Sequence, residues 1–185
     1  MNLNNLSARL KWYFGSIVRI SVSFPATQVT NENQRDWIRR AFQFLRENSS
    51  GANIEEPDFD FDKWKPKPVD NFYISLVKRI KRSKLLILLF LASEGSAGQG
   101  IEATIAEQNG IMMLVFALHG VKISPVMLDC LQKAGVKVIT IASYNEMYKH
   151  IYAALQEIKA KQWLRHPLYC MKSLRYNRAV VSPSH

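Results

Sequence analysis

Residues 85–92 read Leu-Leu-Ile-Leu-Leu-Phe-Leu-Ala, eight apolar residues without a break. Such a run is far too short to cross a bilayer, which takes about 20 residues of helix. It does not alternate, so neither of its faces is meant for water. It reads as a strand covered on both sides, the environment of a central strand in a parallel sheet. Parallel neighbours need crossover connections, so helices must flank that sheet on both faces.

The rest of the chain supplies them. Residues 17–24 (Ile-Val-Arg-Ile-Ser-Val-Ser-Phe) alternate and are rich in β-branched types, which predicts the first strand, stopped by Pro25. Trp37, Ile38, Ala41, Phe42 and Leu45 recur at helical spacing within a helix over 30–48, ended by Ser49-Ser50-Gly51. Residues 52–63 predict a second strand, confined to an edge by Pro57 and by Asp58, Asp60 and Asp62 on one face. Residues 64–69, with Pro66 and Pro68, predict a loop. Asp70 is a candidate cap for a helix over 71–82 whose apolar face is Phe72, Leu76, Val77 and Ile80. A small-residue loop over 93–100 leads to a helix over 101–109, a buried strand over 111–118, a helix over 125–134, a strand over 136–142 and a helix over 144–161. Gly110, His119-Gly120 and Gly135 punctuate these elements.

Five strands alternating with helices predict a flavodoxin-like (Rossmann-like), doubly wound α/β fold with strand order 2-1-3-4-5. The organisation expected is an N-terminal helical extension over 1–15, an α/β nucleotide-handling domain over 16–161 and a basic C-terminal tail over 162–185. The chain has 185 residues, 48% hydrophobic, enough for one well-formed core. Its formal charge of +10 favours anionic partners. No acidic residue follows Glu157, and the tail interleaves Trp163, Tyr169 and Tyr176 with Arg and Lys, which suits nucleic acid, an anionic membrane surface or a second subunit. Residues 1–13 lack the apolar core of a secretory signal, and no stretch reads as a transmembrane segment. Two cysteines, Cys130 and Cys170, make no disulfide framework and no metal-ligand spacing, so a reduced, cytoplasmic setting is the expectation. The three aspartates are read as a solvated edge in preference to a Mg²⁺ site, Cys130 as core, and Lys78, Arg79, Lys81, Arg82 and Lys84 as a solvated helix end.

In this topology ligands bind beyond the carboxyl ends of the strands where the strand order reverses, between the first and third strands. The loops over 23–28 and 93–100 face each other there. Gly95, Gly98 and Gly100 permit close approach of a ligand, and Ser96 adds a hydroxyl. The positive end of the following helix suits a phosphate. Glu102 is expected in that helix's first turn, as a dipole partner or a reactive carboxylate. Dinucleotide and Walker fingerprints are absent, and no cofactor or metal is expected.

The run Ser96-Ala97-Gly98-Gln99-Gly100-Ile101-Glu102, followed by Ala103 and Ala106, resembles the nucleoside 2-deoxyribosyltransferase superfamily, which includes the nucleotide N-glycosidases. The resemblance implies cleavage or transfer of an N-glycosidic bond on a nucleoside, nucleotide or NAD-like substrate. It implies that Glu102 is the nucleophile at the anomeric carbon. Ser23, Phe24, Ser93, Ser96, Gly98 and Gly100 would hold the substrate, and members commonly assemble as homo-oligomers. It also implies an aspartate on the helix over 71–82. The matching positions lie near Ser75 and Leu76, where no carboxylate stands, and Phe24 lacks the hydroxyl that some members carry. A sister resemblance, to TIR domains, runs from Ile80-Lys81-Arg82-Ser83-Lys84 through the apolar strand Leu85–Ala92 and a loop to Glu102. It implies either NAD glycosidic cleavage or a catalytically silent, nucleotide-sensing interaction module in signalling or defence.

Overall fold

A computed structural model describes residues 18–48, 52–91 and 96–164. The N-terminal extension, Ser93 and the tail beyond 164 lie outside the described residues. In chain order the elements are strand β1 (Arg19–Ser23), a 3-10 turn (Ala26–Gln28), helix α1 (Glu32–Asn48), strands β2 (Asn53–Glu55), β3 (Phe59–Asp60) and β4 (Lys65–Pro66), helix α2 (Phe72–Arg82), strand β5 (Leu85–Phe90), helix α3 (Ala97–Gln108), strand β6 (Met112–Leu118), helix α4 (Pro125–Lys133), strand β7 (Val138–Ile141) and helix α5 (Tyr144–Leu164).

Five of the strands form one parallel sheet in the order β2-β1-β5-β6-β7, the doubly wound arrangement that the sequence predicts. All six residues of β5 are buried, as its unbroken apolar run requires. The alternation in β1 sorts its side chains between two layers. Val18, Ile20 and Val22 join Ile38, Phe42 and Leu45 of α1 and Met147, Ile151 and Leu155 of α5 in one core. On the opposite face Leu86, Leu88 and Phe90 of β5 pack with Ile80, Ala106 and Met127 from α2, α3 and α4. Ser21 and Ser23 of β1 are buried as well.

Between β2 and α2 the chain departs from expectation. The stretch over 52–63 is no single strand. After the short β2, Phe59–Asp60 and Lys65–Pro66 form a separate antiparallel hairpin, so 64–69 is not wholly loop. Asp58, Asp60 and Asp62 therefore do not share one strand face. Asp60 instead accepts hydrogen bonds from the amides of Asp62 (3.1 Å) and Lys63 (3.2 Å), closing the hairpin turn. Phe59, Phe61 and Trp64 pack on Phe24 and fasten the hairpin over the end of β1. Asp70 does not cap α2. Asn71 holds that position in the left-handed region (φ 56°), which asparagine tolerates, and Phe72 faces solvent rather than the core.

Candidate active site

Helix α3 begins at Ala97, four residues before the expected start. Small residues give little periodic signal, but Ser96 and Gln99 make a complete capping box: the serine hydroxyl accepts from the Gln99 amide (3.2 Å), and the Gln99 side chain accepts from the Ser96 amide (3.1 Å). The Gln99 amide group also donates to the Leu89 carbonyl of β5 (3.1 Å), tying the start of α3 to the carboxyl end of the central strand. Glu102 consequently lies in the second turn rather than the first. Its side chain points into the fold, toward β1, and is nearly buried.

There it meets Arg79. The Arg79 Nη2 atom lies 2.7 Å from Glu102 Oε1, and the two side chains are 9% and 7% exposed. Arg79 Nη1 donates to the Val22 carbonyl of β1 (3.3 Å). One turn further along α2, the Ser83 hydroxyl donates to the Arg79 carbonyl (3.1 Å) and lies 2.6 Å from the Ser21 hydroxyl. This corrects the reading of Arg79 as part of a solvated helix end. A signal for it existed: Arg79 sits three residues after Leu76, inside the apolar stripe of α2.

Two buried polar atoms of this pair have no hydrogen-bond partner, Glu102 Oε2 and Arg79 Nε. Burial pushes the Glu102 carboxyl above the ordinary glutamate value. The Arg79 charge and the nearby Ser23 hydroxyl pull it back only in part. The arrangement is a buried carboxylate with one oxygen clamped by Arg79 and the other buried without a hydrogen-bond partner, at the switch point between β1 and β5.

Of the residues singled out in the sequence, Ser23 and Glu102 come together. Phe24 is buried in the aromatic cluster with Phe42 and Phe59, on the α1 side of the sheet. Ser96 and Gly100 line a different feature, a groove of about 560 Å³ between α3 and α4, with Tyr73, Ile101, Val126 and Met127. A side chain at Gly100 would meet Met127, and one at Gly98 would meet the Ser96 hydroxyl. Cys130 is exposed and lines the same groove, not the core. His119 follows β6 at the carboxyl edge and is exposed. Among the described residues no group of three or more His, Cys, Asp or Glu could hold a metal ion, and no helix is long and apolar enough to cross a membrane.

No family model and no curated protein sequence matches the chain. Solved structures do. A CMP N-glycosidase from Clostridium botulinum, BcmB, superposes with a TM-score of 0.50 at 16% identity, over 73% of this chain and 98% of that one. A 2-deoxyribosyltransferase from Bacillus psychrosaccharolyticus gives 0.51 at 16%, over 75% and 96%. A conserved protein from Enterococcus faecalis V583 gives 0.52 at 14%, over 75% and 99%. The chain has their fold. The doubly wound α/β fold that the sequence predicts is thus one that these proteins share, and the chain spans nearly the whole length of each of them.

Proposed function

We propose that the chain cleaves or transfers the N-glycosidic bond of a nucleoside or nucleotide, with Glu102 as nucleophile. The observation that carries this is the unpartnered oxygen of a buried, clamped carboxylate at the switch point of this fold. Breaking a glycosidic C–N bond builds positive charge on the sugar ring, and a fixed carboxylate at the anomeric carbon stabilises it or bonds to it. Oε2 attacks the anomeric carbon and the C–N bond breaks, its electron pair leaving with the base, which takes a proton from water. Attack of water or of a second base on the glycosyl ester then frees Glu102. Arg79, on Oε1, keeps the carboxylate oriented and favours its charged form. Ser23 supports the same form, and the first-turn amides of α3 offer a seat for a phosphate.

The experiment is incubation with nucleoside monophosphates, deoxynucleosides and NAD, with free base followed by chromatography. Base release is expected from at least one of them, and Glu102→Gln should lower it by roughly 10³–10⁴-fold. No release from any substrate overturns the enzymatic reading. Ligand-dependent stabilisation without turnover would then favour the silent, nucleotide-sensing alternative, which the locked Arg79–Glu102 pair also accommodates.

A further inference from the structure

Arg79 is held at both of its ends. Its guanidinium reaches the Glu102 carboxylate (2.7 Å) and the Val22 carbonyl (3.3 Å). Its backbone carbonyl belongs to the last turn of α2, where helix carbonyls run out of amide partners. The Ser83 amide, four residues on, turns to the Ile80 carbonyl (2.9 Å), and the Ser83 hydroxyl takes the Arg79 carbonyl instead (3.1 Å). A hydroxyl has one proton to donate. Ser83 gives its proton to Arg79, so in the 2.6 Å contact between the two buried serines Ser21 donates and Ser83 accepts. Capping the helix needs Ser83 alone. The buried hydroxyl that meets it from the strand adds a directional link that an apolar side chain at position 21 would not make.

Strand β1 is the frame for this link, paired with β2 on one side and β5 on the other. Alternate residues of a strand face the same way. Ser21 and Ser23 thus share the α2/α3 side, while Val22 sends its side chain into the opposite core and contributes its carbonyl. Three consecutive residues divide the work. Ser21 holds the turn that carries Arg79, Val22 holds the guanidinium, and Ser23 lies beside Glu102.

We propose that Ser21 and Ser83 are positioning residues: they fix the register of α2 on β1 and so place the Arg79 guanidinium on Glu102. The assignment rests on the glycosidic reading of Glu102. Neither serine is asked to touch the substrate, and each acts through Arg79. A slide of α2 along the strand by a fraction of a turn would carry the guanidinium off the carboxylate and turn the nucleophile, and a misplacement of about 1 Å costs on the order of 10²-fold in rate.

The test sets kcat and KM for base release, on the nucleotide that the wild type cleaves fastest, beside the urea midpoint of each protein. Ser83→Ala leaves the Ser21 hydroxyl buried without a partner, so it should lower both the midpoint and kcat. Ser21→Ala with Ser83→Ala removes both groups, and a pair replaced together by apolar side chains is close to neutral in stability. This double variant should regain most of the midpoint while kcat stays about 10- to 10²-fold down and KM changes little. It also serves if Ser83→Ala alone does not fold. Ser83→Thr keeps the hydroxyl and should keep the wild-type kcat. A wild type that releases no base overturns the glycosidic reading and the assignment with it. A wild type that releases base, with a double variant whose kcat returns together with its midpoint, leaves the reading standing and overturns the positioning role alone. Loss of kcat in Ser83→Thr equal to that in Ser83→Ala does the same, because the hydroxyl would then not be what matters.

Discussion

The two faces of the sheet both bury an apolar core, but only one of them also buries a set of polar side chains. The α1/α5 face is filled by Val18, Ile20, Val22, Phe42, Leu45 and their neighbours. The α2/α3 face holds the buried polar residues of the described chain: Ser21, Ser23, Arg79, Ser83, Gln99 and Glu102. Apolar packing is non-directional and tolerates adjustment, whereas a buried polar group must find a partner or its desolvation cost is uncompensated. Both faces thus carry an apolar core, and the α2/α3 face in addition spends stability on a fixed arrangement of charge. The exposed Arg40–Asp36 pair on α1, at 2.8 Å, has nearly the same separation as Arg79–Glu102 yet lies in water, where such pairs contribute about 0–1 kcal/mol.

Substitutions on the two faces separate these roles. The largest loss of stability is expected from Phe42→Ala, about 3–5 kcal/mol by chemical denaturation with base release retained in the folded fraction, because it opens a cavity on the face that carries no charge. Arg79→Met should cost a comparable 3–5 kcal/mol and also suppress base release, since it strands the Glu102 carboxylate in the interior. Adding Glu102→Leu to Arg79→Met should restore most of that stability and none of the activity, which no pair of changes on the apolar face would do. A double variant as unstable as Arg79→Met would break the comparison.

A smaller effect lies in the pH profile. Because burial raises the Glu102 value, the acid limb of kcat/KM should sit above 4.5, the ordinary glutamate value, with activity falling as pH drops through it. The stability term has the opposite sense. The native state holds this proton more tightly than the unfolded chain, so the contribution of the group is full at low pH and declines as pH rises through the native value. Arg79→Gln removes the attraction that opposes burial and should move the limb to higher pH. A limb at the ordinary glutamate position in both proteins would separate Glu102 from the rate.

Much of this was legible in the sequence, for physical reasons that differ between elements. The run at β5 and the alternation in β1 are long enough to show their period, and with right-handed crossovers they determine the strand order. The β3–β4 hairpin has strands of two residues each, too short for any period, and is held by aromatic packing between segments remote in sequence. The start of α3 was hidden by Ala97, Gly98 and Gly100, although the Ser96 and Gln99 spacing of a capping box was present. Arg79 was masked by the basic residues around it, whose exposure it does not share. Glu102 and Ser23 were singled out because topology, not composition, points to the switch point, where their side chains meet.

The connection between Arg79 and β1 has a consequence for how the molecule forms. Its hydrogen bond to Val22 spans 57 residues of sequence, and the Ser21–Ser83 contact spans 62. Every neighbouring pair in the main sheet is parallel, so no two of its strands can join as a local hairpin. Loop closure on this scale comes late in folding. A nascent chain that has emerged only as far as α2 carries the guanidinium without its carboxylate, and closing the sheet over that lone charge is unfavourable. A chain that stops short of Glu102 therefore lacks the carboxylate that lets Arg79 be buried against β1.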